Sequence, residues 1–464
     1  MSLLLIFPFL VAPAQAKISQ EPHTLGEYHF RVAPGLESRV NFWKKVYSEY
    51  TTNHAIIHDS ENLDIIYEII YFGNKKLSHR QKERKANKVK LKYKKILRKL
   101  SKSKKITRSK EEQRVANLVK KNFYRASNRI RLQIGQKDRF AEGLVRSGLY
   151  MDEIKKIFRE YRLPEELTVL PHVESSFQIR AYSSAGAAGI WQFTRSTGRR
   201  FLKVKYDVDE RSDPLLATRA AAKLLKQNFE KLRSWPLAIT AYNHGLQGMK
   251  RAKRRHGREI VNIIKAYRSR TFGFASENFY AEFLAALEVS RNHEKIEKPL
   301  KTVSLKLDHY VSIKTMQKYL NMTREEISKF NPALRRPVLS GEKRIPKGFV
   351  IKAPAEKFDD LYASYKVIPA SMKFRKQIRS KWYTVRRGDT LSTVAARFRT
   401  SVRKLKQINN INRRNMIYVG QVLHLPERYP RRTRLVKAVA EKPTVYESDQ
   451  DTVTYKIKRY ENLT

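Results

Sequence analysis

The chain has no cysteine in 464 residues. That excludes a disulfide framework, a thiol nucleophile, a thiolate metal site and a lipid anchor on an N-terminal cysteine. Acids are scarce: 44 Asp and Glu stand against 97 Lys and Arg, a formal net charge of +53. Such an imbalance implies an anionic partner, whether nucleic acid, membrane headgroups or an acidic wall polymer, and does not choose among them. Long apolar runs are also missing. Leu3 to Val11, interrupted by Pro8, falls short of the about 20 residues a membrane span needs, and no other stretch is long and apolar enough. A hydrophobic content of 41% still suffices for packed cores, and the length exceeds one typical domain.

What is present divides the chain. The short apolar core before Ala14-Gln15-Ala16 reads as a signal peptide over residues 1–16, although no Lys or Arg precedes it. An exported protein of the periplasm or cell envelope is therefore expected. Residues 17–110 read as an N-terminal helical region, with helix-like spacing at Val40-Asn41-Phe42-Trp43 and Ile65-Ile66-Tyr67. It carries a basic insert at 75–110, where half the positions are Lys or Arg and Glu83 is the only acid. Val89, Leu91, Tyr93, Ile96, Leu97 and Leu100 recur there near helical spacing, so the insert is either a basic helix or a solvated, unstructured run. Residues 111–295 read as mostly helical. Asp213-Pro214 forms a helix start, and Ser234-Trp235-Pro236 opens a helix that Gly245 closes. Residues 356–381 read as a linker, 382–426 as a compact unit and 427–464 as a basic tail.

One acid stands out. Leu167 and Leu170 lie at i−7 and i−4 to Glu174, so a helix would set this carboxyl on an apolar, partly buried face. Such a site raises a carboxyl pKa, as a general acid requires near neutral pH. A structural Glu paired with one of the many cations is the competing reading, and Pro171 must distort or end the helix. Downstream, Ser183 to Gly189 is a loop of small residues that lets a ligand approach the backbone. It leads into Ile190-Trp191-Gln192-Phe193, where an aromatic face and an amide suit sugar recognition. Ala241-Tyr242-Asn243-His244-Gly245 then places polar groups at a helix end.

Glu174-Ser175, Gly189-Ile190-Trp191-Gln192, Ala241-Tyr242-Asn243-His244-Gly245 and Asn278-Phe279-Tyr280 follow one another in an order that resembles the lytic transglycosylases. The subgroup most resembled is the membrane-bound lytic murein transglycosylase D type, which Val208 to Pro214 and Phe42 to Asn62 also match. The resemblance implies a mainly α, lysozyme-like catalytic domain over 111–295 acting on peptidoglycan glycan strands. It implies that Glu174 protonates the bond between N-acetylmuramic acid and N-acetylglucosamine, then takes the proton of the muramyl 6-hydroxyl as a 1,6-anhydro ring closes. It further implies that Ser175 orients the carboxyl or the substrate, that Gly189, Gln192, Tyr242 and Asn243 bind the sugar, and that Tyr280 stands near the acid. Neither a cofactor nor a metal is expected; His172 and His244 read as hydrogen-bonding residues.

Tyr383 to Leu391 forms a short strand, a Gly388-Asp389 turn and a helix capped by Thr390. A second helix runs over Val402 to Ile408, ends at Asn409-Asn410, and Gly420 to Pro426 returns as a strand. This βααβ unit, a small α+β fold, resembles a LysM domain, which implies glycan binding through Gly388, Asp389, Thr390 and Asn409. Residues 299–355 carry a degenerate likeness without the Gly-Asp turn, and Tyr455 to Thr464 parallels the opening strand.

An ordinary glycosidase needs a second carboxyl at a set distance. The nearest acids in sequence, Asp207, Asp209, Glu210 and Asp213, read as structural. If one reached the cleft, a lysozyme-like hydrolase would be the alternative; a non-catalytic wall-binding scaffold is another. Specific nucleic-acid binding is not expected, for no recognition motif accompanies the charge. Contact with anionic wall or membrane surfaces accounts for it instead.

Overall fold

The computed structural model describes residues 30–73, 77–102, 109–291, 300–358, 360–378, 381–386, 388–412 and 416–426. The expected signal peptide and basic tail lie outside them. The chain forms two compact units, residues 1–378 and 379–464. Among the described residues no helix is long and apolar enough to cross a membrane.

The first unit opens with α1 (Glu37–Ser48) and a three-stranded antiparallel sheet of order β2-β1-β3. Its strands are β1 (His54–Asp59), β2 (Ile66–Tyr71) and β3 (Ile130–Ile134). The expected all-helical N-terminal region is thus corrected: Ile66 and Tyr67 begin a strand, and Ile65 precedes it. The β-branched run pairs with central β1, and tertiary pairing overrides its helix-like spacing. Side chains of β1 alternate between two cores. Ala55 and Ile57 face the basic helix α2 (His79–Lys102), and Ile56 faces the main helical core. The apolar stripe of α2, Ala86, Tyr93, Leu97 and Leu100, is buried with that of α3 (Lys110–Val119). The Tyr93 hydroxyl donates to Glu68 and Glu111 at 2.7 and 2.6 Å.

The main core belongs to helices α4 (Lys137–Gly148), α5 (Met151–Glu160), α6 (Leu170–Ser175), α7 (Pro214–Leu232), α8 (Trp235–His244), α9 (Leu246–His256), α10 (Ile260–Ala266) and α11 (Phe274–Arg291). Asp213 caps α7 by accepting from the N–H groups of Leu215 and Leu216, both at 3.0 Å, and Pro214 takes the first turn. Helix α11 packs against α1, α6 and α8. It buries Phe279, Tyr280, Phe283 and Leu284, each contributing about 2 kcal/mol of burial.

A βααβ unit completes the first body: β4 (Thr302–Lys306), α12 (Ile313–Tyr319), α13 (Arg324–Phe330) and β5 (Val350–Pro354), with β4 antiparallel to β5. The expected linker at 356–381 is corrected. Leu361, Tyr365 and Ile368 are buried in the core of this unit, so most of that segment is its outer wall. The second body has strand β6 (Trp382–Thr384), helices α14 (Leu391–Arg397) and α15 (Val402–Ile408), and strand β7 (Val422–His424) paired with β6.

Candidate functional site

A 3₁₀ turn, Glu165–Val169, leads into α6, and Pro171 lies in its first turn, where a missing N–H costs nothing. The proline therefore starts the helix of Glu174 rather than ending it. Leu167 and Leu170 are fully buried. After Ser175 the chain turns left-handed twice, at Ser176 (φ 48°) and Phe177 (φ 54°). Neither is glycine, so the turn holds strain of about 1–3 kcal/mol per residue directly behind the acid. Helix α4 approaches so closely that a Cβ on Gly143 would lie 2.7 Å from the Ser176 carbonyl oxygen. The Ser175 hydroxyl donates to the carbonyls of Pro171 (3.1 Å) and Ile190 (3.0 Å), tying α6 to the Gly189–Gln192 loop.

Glu174 is half-buried, and its carboxyl is surrounded by protein. Burial alone pushes its pKa up to about 8. In a chain with 97 basic residues, no described residue hydrogen-bonds or ion-pairs with it. Two phenols share its surroundings. Tyr47 and Tyr242 are held well above the usual phenol range by burial first; after it come the Glu282 and then the Glu174 charge for Tyr47, and the Glu174 charge for Tyr242.

Of the other expected residues, Tyr242 lies within reach of the Glu174 charge, while Gly189, Gln192, Asn243 and Tyr280 are placed by contacts of their own. The Tyr242 hydroxyl donates to the Trp191 carbonyl (2.8 Å), and its ring lies parallel to Phe279 at 6.5 Å. The Asn243 side-chain oxygen accepts from Ser276 (2.7 Å). Gln192 adopts φ 44°, and its amide nitrogen donates to the Gly189 carbonyl at 2.8 Å. Gly189 itself (φ 77°) must be glycine: a Cβ would lie 1.8 Å from the Arg211 carbonyl oxygen. Tyr280 is buried on α11 with its ring stacked on Phe283, and only burial raises its pKa; no interaction among the described residues ties it to Glu174.

Two readings of this region are corrected. Trp191 is 0% exposed; it packs on Phe158 and its indole N–H donates to Thr218 at 2.8 Å. It therefore roots the loop in the core and offers no face to a sugar. His172 is buried between Phe140 and Phe177, no hydrogen bond reaches its Nδ1 among the described residues, and burial lowers its pKa to about 3, so it is a neutral packing residue. His244 Nδ1 faces the Thr271 carbonyl at 3.3 Å. A second carboxyl within reach of the Glu174 charge is Glu282 on α11, which sequence reading did not single out. Burial first and the Glu174 charge second push it up to about 8.

The four nearby acids are engaged elsewhere. Asp209 forms a buried pair with Arg211 (2.7 Å), and Arg211 also donates to the carbonyls of Gly186 (2.8 Å) and Phe193 (2.9 Å). That fully buried guanidinium holds the small-residue loop in place, a role its local sequence does not signal. Asp213 pairs with Lys352 (2.7 Å), Glu210 accepts from the Lys203 N–H (2.7 Å), and Asp207 accepts from the Val208 N–H (3.1 Å).

In the second body the expected residues serve the fold. Gly388 (φ 85°) makes the turn. Asp389 accepts from Tyr383 and from the Arg386 N–H (2.8 Å), and pairs with Arg397 (3.1 Å). Thr390 caps α14 by accepting from the Thr393 N–H at 3.1 Å. Asn409 donates to the carbonyls of Leu405 and His424, both at 2.8 Å.

Comparison with known proteins agrees with this picture. Residues 153–264 match the family model "Transglycosylase SLT domain", and residues 383–426 match "LysM domain". Membrane-bound lytic murein transglycosylase D of Escherichia coli (strain K12) is 28% identical over 343 residues, covering 69% of this chain and 70% of that protein. A putative tributyltin chloride resistance protein of an Alteromonas species is 35% identical over 85 residues, covering 18% of this chain and 41% of that one. Among solved structures, an inactive mutant of the lytic transglycosylase Slt from Pseudomonas aeruginosa aligns at 19% identity and a TM-score of 0.25, over 30% of this chain and 23% of that chain. The chain thus carries a transglycosylase SLT domain and a LysM domain, and is a distant relative of the membrane-bound lytic murein transglycosylase D proteins.

Proposed function

We propose that this protein is a lytic transglycosylase that cleaves peptidoglycan strands between N-acetylmuramic acid and N-acetylglucosamine, with Glu174 as both acid and base. The observation that carries the reading is the enclosed carboxyl of Glu174, which has no cation partner among the described residues and whose pKa near 8 keeps it protonated at neutral pH. Its proton passes to the glycosidic oxygen as the C1–O4 bond breaks. The substrate's acetamido group stabilises the cationic centre. The muramyl 6-oxygen then attacks C1, its proton returns to the Glu174 carboxylate, and a 1,6-anhydro end results without water.

Ser175 holds α6 against the loop. Gly189 lets the loop pack on the Arg211 carbonyl and so sets the loop beside the sugar, and Gln192, Tyr242 and Asn243 orient it; the Asn243 amide nitrogen has no partner among the described residues and is available to a ligand. Tyr280 supports the helix behind them. The LysM domain retains the enzyme on glycan through the turn at Gly388, Asp389 and Thr390 and the segment after Asn409. The outer face of α2 presents Arg80, Arg84, Lys85, Lys88, Lys95, Arg98 and Lys102, all exposed, for contact with anionic wall or membrane surfaces of the envelope after export.

Mass spectrometry of products from purified sacculi tests the chemistry. Anhydro-muropeptides are expected from the wild type and none from Glu174→Gln; reducing ends would mean hydrolysis, and equal product release from both proteins would leave a non-catalytic binder.

A further inference from the structure

The carbonyls of the small-residue loop and the segment after it are fastened by side chains from other elements. Ser175 on α6 donates to Ile190 (3.0 Å), and Tyr242 on α8 donates to Trp191 (2.8 Å). A further fastening is a single guanidinium. Nη1 of Arg211 donates to the carbonyls of both Gly186 (2.8 Å) and Phe193 (2.9 Å), which bracket Gly189–Gln192 in the chain. The Phe193 carbonyl also accepts from the Ala188 N–H (3.1 Å), so residues 188 and 193 close a hairpin-like turn.

Gln192 is the last residue inside that turn, and its φ of 44° is left-handed. Its main-chain N–H (3.1 Å) and its side-chain nitrogen (2.8 Å) both donate to the Gly189 carbonyl. The side-chain oxygen accepts from no described residue and is free to take a hydrogen bond from a ligand. A residue other than glycine keeps a left-handed conformation only where its surroundings over-determine it. Here the Ala188 bridge and Arg211 both act on the next carbonyl along the chain.

Arg211 is itself locked. It is fully buried, and its Nε and Nη2 take the two oxygens of Asp209 at 2.9 and 2.7 Å. Its stem lies so close to the helical turn Arg195–Gly198 that a Cβ on Gly198 would meet the Arg211 Cδ at 2.7 Å. The Asp209 N–H is held in turn by the Ala333 carbonyl (2.9 Å) of the first βααβ unit. Only a planar fork with several N–H donors can serve a carboxylate and two carbonyls at once; a lysine offers one nitrogen.

We propose that Arg211 is a positioning residue for glycan binding: it holds Gln192 in the left-handed conformation that presents its amide to the sugar. The proposal rests on the reading of Gln192 as a sugar-orienting residue. Arg211 is buried and meets no substrate, so its effect passes through Gln192. A change at Arg211 therefore costs substrate binding only while the Gln192 amide is present.

The test is a double-mutant cycle on glycan cleavage by the full chain, with wild type, Arg211→Lys, Gln192→Ala and the two substitutions combined. Arg211→Lys is expected to raise KM about tenfold and to lower kcat by less than about threefold. In the Gln192→Ala background the same change should raise KM by less than about twofold, because the residue it positions is gone. Equal factors in the two backgrounds would mean that Arg211 only packs the loop, which overturns the proposal alone. So would a loss confined to kcat. If Arg211→Lys does not fold, Arg211→Gln combined with Asp209→Asn, which leaves no buried charge unpaired, goes through the same cycle and is judged by the same criterion. An unchanged KM in Gln192→Ala would overturn the reading of Gln192 and the proposal with it, which separates the two failures.

Discussion

The chain folds the same βααβ path twice and places the copies in different settings. In each, an asparagine after the second helix clamps the closing strand. Asn331 donates to the carbonyls of Ile327 (2.9 Å) and Lys352 (2.8 Å) and accepts from the Lys352 N–H (2.8 Å). Asn409 does the same for Leu405 and His424. In each, an aspartate after the first strand accepts from a tyrosine hydroxyl, Asp308 from Tyr365 and Asp389 from Tyr383. The surroundings differ. The first copy is bonded to the segment that starts α7: the Asp209 N–H donates to the Ala333 carbonyl (2.9 Å), the Arg335 N–H to Asp207 (3.0 Å), and Lys352 pairs with Asp213. The second leaves Tyr418 and Val419 63% and 70% exposed and keeps the Gly388 turn. A shared fold therefore does not carry a shared role; the residues its surface meets decide.

The largest test separates the copies by deletion. Removing residues 300–378 strips partners from Asp207, Asp209 and Asp213 and is expected to abolish cleavage. Ending the chain at Ile378 should leave the rate on short soluble strands intact while lowering retention on sacculi about tenfold in a co-sedimentation assay. Equal loss from both deletions would break the contrast.

Next come the ion pairs. Lys352→Ala leaves buried Asp213 without its cation and should cost about 3 kcal/mol in denaturant unfolding of the first body. Arg397→Ala removes a partner of Asp389 that is itself 47% exposed and should cost about 1 kcal/mol or less.

The Glu174 and Asp389 carboxyls should also respond oppositely to pH. Glu174 and Glu282 have folded pKa values near 8, above the unfolded value of 4.5, so they destabilise the first body increasingly as pH rises from 4.5 to 8. Glu174→Gln should therefore raise its stability at pH 8 by about 2 kcal/mol, allowing for the partial accessibility of the carboxyl. For Asp389 burial alone would raise the pKa, but the Tyr383 hydroxyl, the Arg386 N–H and Arg397 outweigh it and hold it below 3.8. Its contribution is present above that value and lost as pH falls through the folded pKa. Denaturant unfolding of Glu174→Gln and Asp389→Asn against wild type from pH 3 to 8 checks both signs: a Glu174→Gln gain that does not grow with pH, or an Asp389→Asn loss that does not shrink toward pH 3, would count against them. The smallest difference concerns the clamps: Asn331→Ala, fully buried, should cost about 2 kcal/mol, and the half-buried Asn409→Ala about 1 kcal/mol.

Local signals were the legible ones. Asp213-Pro214, Ser234-Trp235-Pro236 and Gly245 mark helix ends because capping is settled within a few residues. The helices of the second βααβ unit were readable for the same reason. Ile65 to Tyr67 misled because an apolar run of β-branched and aromatic residues fits a helix until a partner strand is known. Trp191 misled because an aromatic beside a small-residue loop looks the same whether it lines a cleft or roots the loop, and only its contact with Phe158 distinguishes them. The segment after Pro354 looked like a linker because Leu361, Tyr365 and Ile368 are spaced apart among charged residues, yet they converge on one core.

The sequence by itself determined which residues form the ordered motifs, where Glu174 stands among apolar neighbours, and the second βααβ unit, all encoded in nearest-neighbour spacing. Tertiary structure alone decided that no cation of the described residues reaches Glu174, that Arg211 holds the loop from within, and that Glu282, 108 positions further along the chain, feels the Glu174 charge. The reason is physical: periodicity tells which face of a helix is buried, but not which distant side chain will meet it there.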